Sequence, residues 1–128
     1  MPYFFDSYAF MAYFVEGKNS YKKYFEDEDE KYTSSLSLME IYSRTLHGVN
    51  QDKADDLLGA ILPHFIIVPL DDIDTVKWAA KFRSQMLKGK KSLSYADCVN
   101  YALAQKLNMK LLTGDEDFRD VKGVEFVK

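Results

Sequence analysis

Cysteine is almost missing from this chain: Cys98 is the only one among 128 residues. One thiol cannot build an intramolecular disulfide framework or a Cys-rich zinc site, and its isolation fits a reducing cytoplasm. Long hydrophobic runs are missing too. The longest stretch free of Asp, Glu, Lys and Arg, Leu57 to Leu70, contains Pro63, His64 and Pro69 and falls short of the roughly 18 residues that read as a membrane span. The apolar run from Tyr8 to Val15 has Asp6 upstream, no basic leader and no small-residue cleavage pattern, so no signal peptide is expected, and neither is a membrane partner. Nor is there an excess of positive charge. Seventeen Lys and Arg face 20 Asp and Glu, a formal net charge of −3, so the molecule as a whole does not attract polyanions and any such site must be local.

What the chain does have is apolar bulk. Hydrophobic residues make up 47% and aromatics 15%, with nine Tyr, nine Phe and one Trp, which excludes global disorder and supplies a core without staples. No internal repeat, low-complexity tract or linker interrupts it, so one domain over residues 1–128 is expected.

Tyr3-Phe4-Phe5 reads as a buried strand ending abruptly at Asp6-Ser7. Tyr8, Met11, Ala12 and Val15 recur at helical spacing before Gly17 stops them, and a short helix runs from Tyr21 into the acidic cluster Glu26–Glu30, a solvated end. A small strand over Tyr32 to Ser35 precedes helices over Ser37 to Leu46 and Asp52 to Leu62. Phe65-Ile66-Ile67-Val68 is a strand closed by Pro69. Asp71 or Asp72 caps a helix expected to turn Val76, Ala79, Ala80, Met86 and Leu87 inward. After the loop Lys88–Ser92, a helix from Ser94 presents Val99, Ala102, Leu103 and Leu107. The strand Lys110–Thr113, the turn Gly114-Asp115 and a last strand Val124–Val127 complete the chain. Strands alternating with helices predict an α/β fold, a three-layer α/β/α sandwich on a mainly parallel central sheet.

Four acids stand out by position. Asp6 and Asp115 each follow a strand, and in a parallel sheet both emerge at the carboxyl edge, where α/β folds place their sites. Glu40 lies three residues after Ser37, and Asp97 three after Ser94, in the first turns of helices leaving that edge. Both spacings also fit a capping box, in which the acid only reaches back to the helix N-terminus. Crowded carboxylates stay ionised when cations sit among them, and oxygen donors of this kind select Mg²⁺ or Mn²⁺. A phosphodiester is the natural substrate of such a site.

The segments Phe4-Phe5-Asp6-Ser7, Ser37-Leu38-Met39-Glu40-Ile41, Tyr95-Ala96-Asp97-Cys98-Val99-Asn100-Tyr101-Ala102-Leu103-Ala104 and Leu111-Leu112-Thr113-Gly114-Asp115-Glu116-Asp117-Phe118 together resemble the PIN-domain family, metal-dependent ribonucleases that include VapC-type toxins. The resemblance implies that Asp6, Glu40, Asp97 and Asp115 are catalytic, metal-binding acids for Mg²⁺ or Mn²⁺. It also implies that Thr113 orients the fourth acid or touches phosphate. Ser7 matches a small polar position beside the first acid or caps its helix, and Asp117 joins the cluster or holds the Asp115 loop. RNA as substrate, a protein antitoxin and a homodimer are its implied partners. Tyr13, Phe14, Tyr24 and Phe25 are candidates for the dimer face, or else fill the monomer core.

Other chemistries have less support. Lys81, Arg83, Lys88, Lys90 and Lys91 form either a local RNA-backbone contact near Asp97 or a solvated helix end. His47 and His64 lack a catalytic context for metal-independent cleavage, and Cys98 lacks a neighbouring His. A phosphoacceptor receiver would need an acidic neighbour to Asp6 and has none. The competing class is a catalytically silent module of the same fold that binds RNA or protein.

Overall fold

The computed structural model describes residues Met1–Lys128. Five short strands, β1 (Tyr3–Phe5), β2 (Lys31–Ser34), β3 (Phe65–Val68), β4 (Lys110–Thr113) and β5 (Val124–Phe126), form one all-parallel sheet in the order β3-β2-β1-β4-β5. Their side chains alternate between the two faces. Phe4 and Leu111 point to one core and Phe5 and Leu112 to the other, and all four are fully buried.

On the Phe5 face lie α1 (Ser7–Phe10), α2 (Lys22–Glu26), α3 (Ser35–Gly48) and α4 (Gln51–Ile61), which contribute Phe10, Tyr24, Ile41 and Ile61. On the Phe4 face lie α5 (Ile73–Lys88) and α6 (Tyr95–Lys106). The three-layer parallel arrangement read from the sequence is the one adopted. No helix is long and apolar enough to cross a membrane.

Several local expectations are corrected. The first helix widens into a π turn over Met11–Val15, so its buried face passes through Ala9, Phe10 and Ala12 while Val15 is exposed. Gly17 ends it at φ 63°, a left-handed conformation that suits glycine. Helix α3 begins earlier than Ser37: Ser34 is its N-cap, accepting from the Ser37 amide at 3.2 Å, so Glu40 sits in the second turn and makes no capping box. In α5 the inward face is Thr75, Ala79, Phe82 and Met86, whereas Val76, Ala80 and Leu87 face solvent. Ala79 shares a core cluster with Val99, Ala102 and Leu103 of α6, and Phe82 and Met86 pack against it. Leu107, the C-cap of α6, is likewise partly exposed.

The aromatic surplus of the N-terminal half goes into the monomer. Phe25 stacks on Tyr13 with ring centroids 4.2 Å apart and meets Phe5 edge-on at 4.9 Å. Tyr24 is buried, and its hydroxyl donates to Glu125 at 2.7 Å. Of the four residues considered for a dimer face, only Phe14 is substantially exposed.

Candidate active site

The strand order turns back on itself between β1 and β4: the chain moves outward from β1 through β2 to β3, then returns to β4 on the other side. At such a switch point the loops leaving the carboxyl edge diverge and open a crevice. Asp6 directly follows β1 there, and its backbone amide donates to the Leu112 carbonyl of β4 at 3.1 Å. Asp115 follows β4 across Gly114, where any Cβ would collide with the Val127 carbonyl and the Tyr8 ring.

Asp6, Glu40, Asp97 and Asp115 line one cleft of about 180 Å³ together with Ser7, Tyr8, Arg44, Ser92 and Ser94. The four acids arrive from four different elements. Asp6 is almost completely buried and clamped on both oxygens. The Asn100 side-chain amide donates to its Oδ1 at 2.8 Å, and the Thr113 hydroxyl to its Oδ2 at 3.0 Å. Asn100, three residues after Asp97 and on the same face of α6, also donates to Ser37 Oγ at 2.7 Å and accepts from Ser34 Oγ at 2.5 Å. Thr113 completes the brace by accepting from the Asp115 amide at 3.2 Å.

The capping role that its spacing allowed for Asp97 is present, and it leaves the residue in the cleft wall. Asp97 closes a capping box with Ser94, both bonds being 3.0 Å, and it lines the cleft. Only Oδ2 is engaged in the cap. Glu40 accepts from Arg44 on Oε2 at 3.2 Å, while its Oε1 is buried without any partner. Asp115 Oδ1 accepts from the Asp117 amide at 3.0 Å. The Asp117 carboxylate lies outside the cleft, so this residue serves the Asp115 turn through its backbone. Ser7 opens α1 as its first helical residue and lines the cleft, with Asp6 rather than Ser7 in the N-cap position.

Burial, with the Asp97 carboxylate nearby, pushes the Asp6 carboxyl up to about 7, against the pull of the Asn100 and Thr113 donors. Burial also raises Asp97, reinforced by Asp115 and Glu40 and opposed by the Ser94 cap. These shifts mark a cleft in which negative charge is costly. No three of the acids converge into a ready-made metal cage.

The sequence reading missed Arg44 and Asn100. Arg44 is the only Lys or Arg lining the cleft, and none of Lys81, Arg83, Lys88, Lys90 and Lys91 does so. Arg83 bonds the Leu93 carbonyl at 3.0 Å, and Lys91 the Arg119 carbonyl at 3.1 Å. For Arg44 a signal existed, four residues after Glu40 on one helix face. For Asn100, a polar residue inside an otherwise apolar helix stretch was the available hint. His47 and His64 are exposed and outside the cleft, and Cys98 is buried with its thiol pushed by burial up to about 11. A larger groove of about 460 Å³, containing the Asp72–Lys106 pair and Trp78, lies at the opposite end of α6 from Asp97.

The fold is shared with several solved structures. VapC20 from Mycobacterium tuberculosis, described as a Sarcin-Ricin loop cleaving toxin, aligns with a TM-score of 0.79 at 16% identity over 100% of both chains. VapBC2 from Rickettsia felis, bound to a promoter DNA fragment, gives 0.79 at 15% identity, covering 99% of this chain and 98% of that one. FitAcB from Neisseria gonorrhoeae gives 0.77 at 21% identity, covering 99% and 97%. No curated protein matches the sequence significantly. The family model for the PIN domain matches residues 3–124, nearly the whole chain. With that match and a parallel sheet whose switch point gathers four acids, the chain belongs to the PIN domain family.

Proposed function

We propose that this PIN-domain chain is a metal-dependent endoribonuclease acting in the cytoplasm as the toxin of a toxin–antitoxin pair. The observation that carries the reading is the cleft itself. Four carboxylates share it, and one buried oxygen, Glu40 Oε1, has no protein partner. A buried acceptor left bare is costly unless something outside the protein satisfies it.

The donor set fits Mg²⁺ or Mn²⁺. All of it is carboxylate oxygen, the donor type these hard ions prefer. Asp6, Glu40, Asp97 and Asp115 would hold the ion, whose chemistry is to neutralise the clustered charge and favour ionisation of an attacking water. The chain's own residues do the rest. Asn100 and Thr113 fix the Asp6 carboxylate, Thr113 also orients the Asp115 turn, and Arg44 offers a phosphodiester its only cation in the cleft. The protein partner in this reading is an antitoxin covering the cleft. Self-association is supported by the outward apolar stripe Ile73, Val76 and Leu87 on α5.

Incubating purified protein with mixed RNA tests the proposal. Cleavage is expected with Mn²⁺, is abolished by excess chelator, and in Asp6→Asn falls by more than about 100-fold, beyond the 10–100-fold typical for partners of metal ligands. Cleavage that persists in chelator overturns the metal mechanism. RNA binding without cleavage under any divalent ion selects the silent binding module instead.

A further inference from the structure

Tyr95 is the first residue of α6, and its side chain is 73% exposed on a protein that puts most of its aromatics inside. The ring is nevertheless held in place. The Arg83 guanidinium carbon lies 4.2 Å from its centroid, and Arg83 is itself anchored by donating from Nε to the Leu93 carbonyl at 3.0 Å. One face of the ring is thus backed by a cation pinned to the backbone. Such a pair is attracted through the ring quadrupole, and it orders the ring before any ligand arrives.

Its position gives the pair a use. Ser94 precedes Tyr95, caps the helix and lines the acid cleft, as does Ser92, and Asp97 follows two residues later. Adjacent Cα atoms are about 3.8 Å apart, so the backbone of Tyr95 adjoins the cleft wall at Ser94, while its ring lies outside the lining side chains. A strand whose phosphate enters the cleft would carry its neighbouring base past Tyr95. Bases in a single strand are free to leave their own stack and lie on an aromatic face, whereas bases in a duplex hide theirs.

The geometry points to a nucleobase-stacking platform: Tyr95, backed by Arg83, takes an unpaired base of single-stranded RNA flanking the phosphate in the carboxylate cleft. This rests on the ribonuclease reading for the identity of the strand, and on the Arg83–Tyr95 geometry for the stack. Arg83, grouped by the sequence with backbone-contacting cations, acts here through the ring. The phosphate-neutralising part falls to Arg44.

The test is fluorescence anisotropy with a fluorescein-labelled oligoribonucleotide of mixed sequence without self-complementarity, in an Asp6→Asn background so that the probe survives. Tyr95→Ala is expected to weaken binding by roughly ten-fold, the size of one aromatic–base stack, while Tyr95→Phe stays within about two-fold because the π face is kept. Tyr95→Leu, apolar but without that face, should bind like Tyr95→Ala. The salt dependence of binding should be the same in all variants, since no phosphate contact is removed. The same sequence annealed into a duplex should be indifferent to Tyr95. Thermal melting of Tyr95→Ala should match the parent, because the side chain is exposed.

Equal binding by Tyr95→Ala, failure of Phe to substitute, equal losses on duplex and single strand, or no RNA binding by the parent overturns the platform. A parallel cleavage assay separates the two readings. Mn²⁺-dependent cleavage with Tyr95-independent binding leaves the nuclease and removes the stack. Tyr95-dependent binding without cleavage under any divalent ion does the reverse.

Discussion

Asp6 has a donor on each oxygen, yet its carboxyl is pushed up to about 7 by burial and by Asp97. Two neutral donors do not compensate for removal from water beside another carboxylate. The folded-state value lies above the ordinary 3.8, so the folded protein binds the extra proton more tightly than the unfolded chain. The resulting stability is complete below pH about 3.8, declines as pH rises, and is gone once the pH has passed about 7. In chelator, melting temperature should therefore fall between mildly acidic pH and pH 8, and Mn²⁺ should restore it at pH 8 by binding only the folded state. Asp97→Asn sharpens the test, because its amide oxygen can still accept from the Ser94 N–H while the charge is removed. It should raise metal-free melting at pH 8 and reduce the Mn²⁺ response. A fall in melting temperature with an unchanged Mn²⁺ response would leave Asp97 as a cap alone.

Helix α3 brings Glu40 to the cleft from its second turn, because the helix starts at a cap one turn earlier than the Ser37-to-Glu40 spacing predicts. Ser34 lies at the very end of β2, so strand and helix share one corner, and its hydroxyl meets both the Ser37 amide and Asn100 Oδ1. Removing it costs a cap and leaves the Asn100 carbonyl bare. Ser34→Ala should lower stability by about 1–2 kcal/mol for the cap, with up to roughly 1–3 kcal/mol more for the unsatisfied acceptor, measured by urea unfolding. A loss below about 0.5 kcal/mol, the ordinary surface-substitution level, would contradict the cap assignment. The sequence offered three serines in a row of four residues, Ser34, Ser35 and Ser37, and local pattern alone does not choose among them. The choice is made by where β2 stops pairing with β3, at Ser34 opposite Val68.

At the scale of the whole molecule, α5 turns Ile73, Val76 and Leu87 outward, and Ile66 of the edge strand β3 is exposed as well. A second copy of the chain is the proposed cover for that stripe. Sedimentation at micromolar concentration is expected to show a dimer, shifted to monomer by Val76→Lys with the fold intact. A monomeric parent would remove the self-association reading without touching the cleft. What the sequence determined by itself was the order of the elements and the places where the strands end. This covers the alternation of strands and helices, the parallel three-layer fold, and the positions of Asp6 and Asp115 just past β1 and β4, because side-chain periodicity and chain direction are local properties. Only the tertiary structure decided which face of α5 is buried, which serine caps α3, that Asp97 caps and lines the cleft together, and that Arg44 and Asn100 serve the acids. Each of those depends on partners far along the chain, such as Asn100 against Asp6 and Ser34. Burial and hydrogen-bond satisfaction are settled by what packs opposite a residue, and a sequence window does not contain that opposite side.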